Sequence, residues 1–528
     1  MKTRSFLLSA LAALMLAGCS EDAREDEIPG NVLVGKAYLS LSLQSRTSTL
    51  TRVDNVKTEN GSAAESAVSD VTVLLFDEDE MCLDVVNVPS GEITVGNSGG
   101  STPTTATASK AQLVPEKTKK VFVVLNSAKW TFTKEAVVGK AWSTINTAIE
   151  AVIGDVATNS KFVMASAGTK ANGALTPVTV HKPATYTASD VAAAKKAAED
   201  APATINVDRL SAKVQVSQAS GFTKPTGSNF TFNGWELSVT NKSVRLYSDL
   251  VTYDNATPGA VYRRDKNYLE SEQPDVSDNN TKEANMDAVF NYLKNIKNVS
   301  ENMPAVAQID NASLYCLENT MEAKAQQLGF TTKVVVKAQY TPDGITKDAN
   351  YFSWKGAYYT LEQLKAEYLK HSDGTGLKVD LPIFLIKAGV MSQAEFDEGQ
   401  DKRNEIVANL SEGAAANQLN AKTGIIGRFC AVRYYHASVC YYDVLIRHDQ
   451  NITTKMALGR YGVVRNNWYN IELNSVSGPG TPWIPDPSDP DPTNPTPPDT
   501  DDDEADAYLS VKITINPWNY WSQGVDLH

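Results

Sequence analysis

Cys19 is the first residue whose surroundings specify a reaction. Leu16, Ala17 and Gly18 precede its thiol, Lys2 and Arg4 form a short basic start, and Phe6 to Met15 form an apolar run between them. That order is a signal peptide (residues 1–18) closed by a lipobox, so the chemistry expected at Cys19 is attachment of lipid. The run is far shorter than the roughly 20 apolar residues that span a bilayer as a helix, so lipid is the expected tether to the outer membrane. A second reactive place is Gln44 to Arg52, a Ser/Thr-rich stretch with arginines at 46 and 52 and no proline. It reads as an exposed proteolytic site. Arg52 is the preferred position for the cut, with Arg46 as the alternative, because Arg46 directly follows a strand pattern.

Other reactive residues do not assemble into sites. Cys430 and Cys440 flank an expected hairpin turn near His436. A cross-strand disulfide is conceivable there, but two buried free thiols are the expected state, and a zinc site lacks both a Cys-x-x-Cys pair and a second histidine. The five histidines, His181, His371, His436, His448 and His528, form no His-x-x-x-His pair. Asp499 to Asp503 lacks the turn glycine and ligand spacing of a calcium loop. The expectation is therefore no enzyme, no catalytic residues, no metal and no cofactor.

What remains is an assembly of strands. The chain has 528 residues, 42% hydrophobic, with a net charge of −13, which suits two or three globular domains and offers no basic surface for nucleic acid. Val71 to Phe76, Val121 to Leu125, Val214 to Val216, Val334 to Val336 and Cys440 to Ile446 are short, β-branched or aromatic, and bounded by turn residues. Helices are expected at Val191 to Asp200, at Thr281 to Lys297, and at Thr360 to Lys370, the last with Leu361, Leu364 and Leu369 on one side. They read as insertions packed on β-sandwiches. A polar, glycine-bearing stretch at Ser217 to Asn229 marks the expected boundary between an N-terminal domain (53–220) and a C-terminal domain (221–481). Asp208 with Arg209 reads as an inter-strand or edge ion pair, and Asn466-Asn467 as a turn before Trp468.

Two similar segments stand at opposite ends. Ala37-Tyr38-Leu39-Ser40-Leu41-Ser42-Leu43 and Ala507-Tyr508-Leu509-Ser510-Val511-Lys512-Ile513-Thr514-Ile515 both begin Ala-Tyr-Leu-Ser and both alternate apolar with polar residues. Each presents one apolar face when extended, so the two can compete for one groove. The first lies in residues 19–52, ahead of the arginines. The second follows the Pro/Asp-rich linker 482–506, whose 25 residues reach about 75 Å if extended as polyproline II. The expected device is a removable strand carrying Leu39, Leu41 and Leu43, freed by the cut and replaced by the tail (507–528) of a neighbour carrying Leu509, Val511, Ile513 and Ile515. Trp518, Tyr520 and Trp521 offer interface anchors.

Several blocks carry a family resemblance. They are the lipobox, Val121 to Asn126, Val207 to Val214, Tyr315 to Thr320, Tyr461-Gly462-Val463-Val464-Arg465-Asn466-Asn467-Trp468-Tyr469, the Asp-Pro linker, and Leu509-Ser510-Val511 leading through Asn516-Pro517-Trp518 to Val525-Asp526-Leu527. Together they resemble the type V pilins of Bacteroidales, the fimbrillins, and among them the shaft subunits. The resemblance implies an all-β fold of two transthyretin-like β-sandwich domains, with helical insertions and an extended C-terminal tail. It further implies export as a lipoprotein, removal of the first strand by an Arg-specific protease of the gingipain type, and donor-strand polymerisation. Its partners would be identical subunits joined head to tail, anchor and tip subunits, and host or bacterial surface receptors, in a cell-surface fimbria supporting adhesion and biofilm formation. A tip or anchor subunit and a monomeric glycan-binding lipoprotein are the alternatives. Residues 227–303 match nothing in the family pattern.

Overall fold

The computed structural model describes residues 33–45, 59–60, 67–89, 93–94, 110–127, 132–151, 153–158, 161–253, 261–294, 312–413, 422–491, 494–504, 509–519 and 523–525, with 62, 65, 130 and 418–420 besides. Cys19, Arg46, Arg52, Tyr520, Trp521 and His528 lie outside them. The described chain is mostly strands in several sheets, with helices added.

The N-terminal part contains β1 (Lys36–Leu39), β2 (Leu41–Ser45), β3 (Asp70–Phe76), β4 (Cys82–Pro89), β5 (Gln112–Pro115), β6 (Lys120–Leu125), β7 (Met164–Ser166), α1 (Ala188–Asp200) and β8 (Ala203–Arg209). One sheet runs β4-β3-β6-β7-β8-β2. Both of its faces are buried: Leu74, Phe76, Phe122 and Val124 meet Trp130 and Trp142, while Val71, Val73, Val121, Val123 and Ile205 face a second core. Burial on both sides is why β3 and β6 are nearly unbroken apolar runs.

The C-terminal part follows with β9 (Ser211–Thr223), β10 (Asn229–Ser238), β11 (Ser313–Leu317), β12 (Lys333–Thr341), α2 (Leu361–Lys370), α3 (Leu377–Lys387), α4 (Gln400–Ala408), β13 (Val439–Leu445), β14 (Asn467–Val476), β15 (Leu509–Asn519) and β16 (Gln523–Val525). Sheet β11-β9-β14-β15 packs face to face on sheet β10-β12-β13. Val214, Val216, Trp235, Val334, Val336, Tyr442, Ile471 and Leu473 interdigitate between them. The chain passes from the first sheet to the second at Leu210, between β8 and β9. That crossing lies ahead of Ser217 to Asn229, where β9 is still extended through Thr223.

The helices depart from expectation in instructive ways. Thr360 caps α2 in a capping box with Gln363, and Leu364 and Tyr368, four residues apart, are buried. Leu369 is 67% exposed instead of sharing that face. Among the described residues of Thr281 to Lys297, the helix covers Lys282–Val289 and gives way to a strand at Phe290–Asn291. Phe290 turns extended to pair with Asn241 and buries against Val239 and Phe330, so tertiary packing ends a helix that periodicity would continue. The insertion between β12 and β13 is a separate core of α2, α3 and α4 on a small sheet formed by Tyr351–Trp354, Ala357–Tyr359 and Val432–Tyr435.

Cys430 and Cys440 do not flank a hairpin. Val432–Tyr435 and β13 belong to different sheets, joined at His436–Ser438, and both thiols are free. Burial pushes the Cys440 and Cys82 thiols up to about 11 and Cys316 to about 12. In a native thiol titration near pH 8, Cys82, Cys316 and Cys440 should stay unmodified until denaturant is added, because the reactive species is the thiolate. Rapid modification of Cys440 without unfolding would contradict this packing.

Candidate functional site

The first strand is built into its domain as a filler. Gly35 at φ +77° turns the chain into β1, which pairs antiparallel with β5 from Lys36↔Pro115 to Leu39↔Gln112. On its other edge, Tyr38 N–H donates to the His181 carbonyl and His181 N–H to the Tyr38 carbonyl, each at 2.8 Å. After Ser40, whose carbonyl accepts from Ala203 N–H at 2.9 Å, the strand crosses into the main sheet. There β2 lies parallel to β8, with Leu41↔Ala203 and Leu43↔Ile205. Leu39, Leu41 and Leu43 are all buried in one core with Val73, Val114, Val123, Phe162 and Val207. Tyr38 points to the opposite face and packs on Ala194 and Ala198 of α1, with Lys195 Nζ 5.8 Å from the ring centroid. At about 1.5–3 kcal/mol per buried leucine, the triplet supplies roughly 4.5–9 kcal/mol before entropy.

The tail is docked on its own molecule. β15 pairs antiparallel with β14 from Val476↔Leu509 to Asn467↔Pro517. Leu509 is buried in the C-terminal core and Val511 packs against it, while Ser510 and Lys512 are exposed. Among the described residues, the other edge of β15 is met only at its far end, where Trp518 and Asn519 pair with Glu59 and Asn60. Ile513, Ile515 and Trp518 lie on this strand. β16 then runs antiparallel to β2, Ser42↔Gly524 and Leu43↔Gln523, with Ile93–Thr94 on its other side. Leu39, Leu41 and Leu43 thus fill one core of the molecule, while Leu509 and Val511 of the tail pack on another.

The linker 482–506 is not a free spacer. Trp483, Ile484, Asp486 and Ser488 are buried, and Asp489 pairs with Arg428 at 2.5 Å. Leu328 N–H donates to the Thr500 carbonyl and Gly329 N–H to the Pro498 carbonyl. Arg460 donates to both oxygens of Asp503, Nη2 at 2.7 Å to one and Nε at 2.9 Å to the other, and Tyr461 O–H donates to Asp503 at 2.9 Å. Its prolines suit a strap: they donate no N–H and so add no ladder hydrogen bond of their own. The 75 Å reach expected of an extended linker is therefore not available while this docking holds.

One carboxylate makes the strap pH-sensitive. Burial pushes Asp502 up to about 8, although the Thr331 hydroxyl donates to it. The folded state then holds a proton that the unfolded chain has lost. Stability is greatest below the usual carboxylate pKa of about 4 and falls as pH rises to about 8. Asp502→Asn should remove Asp502's share of this slope, gaining on the order of 5 kcal/mol on the wild type near pH 8, as read from urea midpoints. Parallel pH profiles for the two proteins would refute the assignment.

The two sandwiches meet at a buried charge network. Arg465 donates through Nε to Glu318 Oε2 at 3.0 Å, with Nη2 in ion-pair distance of the same oxygen at 2.8 Å, and through Nη1 to the Leu246 carbonyl at 2.8 Å. Asp208 pairs with Arg263 at 2.5 Å and accepts from Asn466 Nδ2 at 3.0 Å. Arg209 donates to the Glu65 carbonyl and to Asn466 Oδ1. Asp208 and Arg209 therefore bond in different directions instead of forming an edge pair, and Asn466, at φ +58°, makes the expected turn. Burial raises the Glu65 carboxyl, but hydrogen bonds from Lys213 (2.8 Å) and Tyr315 (2.7 Å) outweigh it and hold the group below the usual range. Glu65, Arg263 and α1 carried no sequence signal for these roles, because their partners are distant in the chain. Among the described residues no group of three His, Cys, Asp or Glu is placed to hold a metal, and no helix is long and apolar enough to cross a membrane.

Two β-sandwiches, with one strand donated by the N-terminus and a tail strand on an outer sheet edge, define the class of fold. Within it, residues 433–524 match the family model for the major fimbrial subunit protein type IV, fimbrillin, C-terminal region. The chain resembles the fimbrillins on that match. The solved structures similar to the chain include the following three. A candidate cell adhesion protein from Parabacteroides distasonis is 14% identical, with 92% of this chain and 99% of that one covered at a TM-score of 0.41. A fimbrilin from Porphyromonas gingivalis is 15% identical, with 92% and 98% covered at 0.36. The tip fimbrial protein Mfa3 from the same organism is 11% identical, with 92% and 100% covered at 0.33. No curated protein matches the sequence.

Proposed function

We propose that the protein is a structural subunit of a cell-surface fimbria, acting in its shaft. It is exported as a lipoprotein through Cys19, activated by Arg-specific proteolysis at Arg52 or Arg46, and polymerised by donor-strand exchange. The supporting observation is a pair of exchangeable strands. β1 and β2 fill a groove and lead into the arginine-bearing segment, and among the described residues the tail with the same pattern is paired along most of its length with β14 alone. The docked tail adds a step to the scheme: β15 leaves β14 before it enters a neighbour. Because the strap is held through Asp503, the tail swings from the end of the strap. Head-to-tail contacts of this kind do not close and therefore grow filaments.

The test is arginine-specific proteolysis of the purified precursor, followed by gels and electron microscopy. Filaments should form from trimmed chains and not from uncut ones, and Arg52→Ala should delay their appearance more than Arg46→Ala. Trimmed chains that persist as folded monomers at high concentration would overturn the proposal.

A further inference from the structure

We infer that the exchange has a fixed register, in which residues 507–515 of a second copy take the positions of residues 37–45. This rests on the strand-exchange reading and adds to it which residue enters which pocket. In this register Ala507, Tyr508, Leu509 and Ser510 replace the identical Ala37, Tyr38, Leu39 and Ser40. Val511 and Ile513 replace Leu41 and Leu43 in the core that β2 fills. Leu509 and Val511 already turn toward a sandwich core in the docked tail, so the same face serves in both places.

The pockets exclude the neighbouring registers. A slip of one residue turns the apolar side chains to the other face. Shifting the donor by two residues one way brings Leu509 to the position of Ala37 and Lys512 to that of Ser40, both buried sites in this fold. The first overpacks, at about 1–3 kcal/mol, and the second buries an unpaired ammonium. Shifting by two the other way puts Ala507 where Leu39 fills the core, leaving a cavity that costs about 2–5 kcal/mol. It also puts Tyr508 at the Ser40 site and Asp506 between Ala194 and Ala198, where Tyr38 now lies. Only the Ala-Tyr-Leu-Ser register satisfies all four positions. It places Lys512 at the Ser42 site, on the sheet edge that β16 covers in this molecule. Once β16 leaves with its tail, the ammonium can reach water along its flexible stem.

The prediction is a ladder. Ser42 pairs with Thr204 in β2 and β8, so Lys512 of one copy should pair with Thr204 of the next. Copies carrying Thr204→Cys are mixed with copies carrying Lys512→Cys, Ser510→Cys or Thr514→Cys, trimmed, polymerised with an excess of wild type, and oxidised. Neighbouring strands lie about 4.8 Å apart, within disulfide range. The Lys512→Cys mixture should give at least tenfold more cross-linked dimer on non-reducing gels than the other two. The wild-type excess keeps fibres growing where a variant alone assembles poorly. Maximal cross-linking through Ser510→Cys or Thr514→Cys would overturn the register and leave strand exchange standing. Fibres with no cross-link to Thr204→Cys in any mixture would overturn the exchange itself.

Discussion

A chain ending at Asp506, trimmed at its arginine, is expected to form no filaments where the full chain polymerises, a loss of 100-fold or more in polymer yield. It still has an acceptor groove, so added to full-length subunits it should accept one tail and offer none. Filament length measured by electron microscopy should therefore fall in proportion to the truncated fraction. The truncation removes Leu509 and Val511 from the C-terminal core, a destabilisation of roughly 1.5–3 kcal/mol for each side chain. Its sandwich keeps β9, β10, β12, β13 and β14 around the remaining buried residues. Circular dichroism separates a folded, capping subunit from an unfolded one. Normal filament lengths in the presence of a folded truncated chain would contradict a donor role for β15.

The second large effect lies at the seam between the sandwiches. Arg465→Met should destabilise the protein by about 3–5 kcal/mol, because it takes from the fully buried Glu318 carboxylate its hydrogen-bonded cation and leaves only Arg263 Nε, 4.0 Å away. It also strips hydrogen bonds from the Leu246 and Arg245 carbonyls and the Ser248 hydroxyl. Adding Glu318→Leu to that variant should recover part of the loss, since replacing both members removes the uncompensated charge. Equal urea midpoints for wild type and Arg465→Met would mean that the network contributes nothing to holding the seam.

Strands were legible where burial is periodic or complete. Val71 to Phe76 and Val121 to Leu125 lie within β3 and β6, and Thr360 with Gln363 writes the start of α2 locally. The end of the helix begun at Lys282 was not legible, because Phe330 and Asn241, distant in sequence, draw Phe290 into a ladder. The Val-Val-Arg-Asn-Asn block stood out by resemblance. Its physical role appears only when Arg465 meets Glu318 and Asn466 meets Asp208 across more than a hundred residues of chain. The reach of the proline and aspartate run is not legible for a related reason. Composition describes a solvated spacer, whereas Arg428, Arg460 and the Leu328 and Gly329 amides hold it down. Leu39, Leu41 and Leu43 could be singled out early because alternation shows which side chains share a face. The groove around them comes from β5, β6 and β8, which no local pattern joins.

The short pairing of Gln523–Val525 with β2 ties both ends of the molecule to one event. Pulling β2 away vacates the groove and simultaneously strips the tail's tip of a neighbour. On the proposed scheme a single hydrolysed bond would then open the acceptor and loosen the tip of the donor together, while the ladder with β14 still holds the rest of β15.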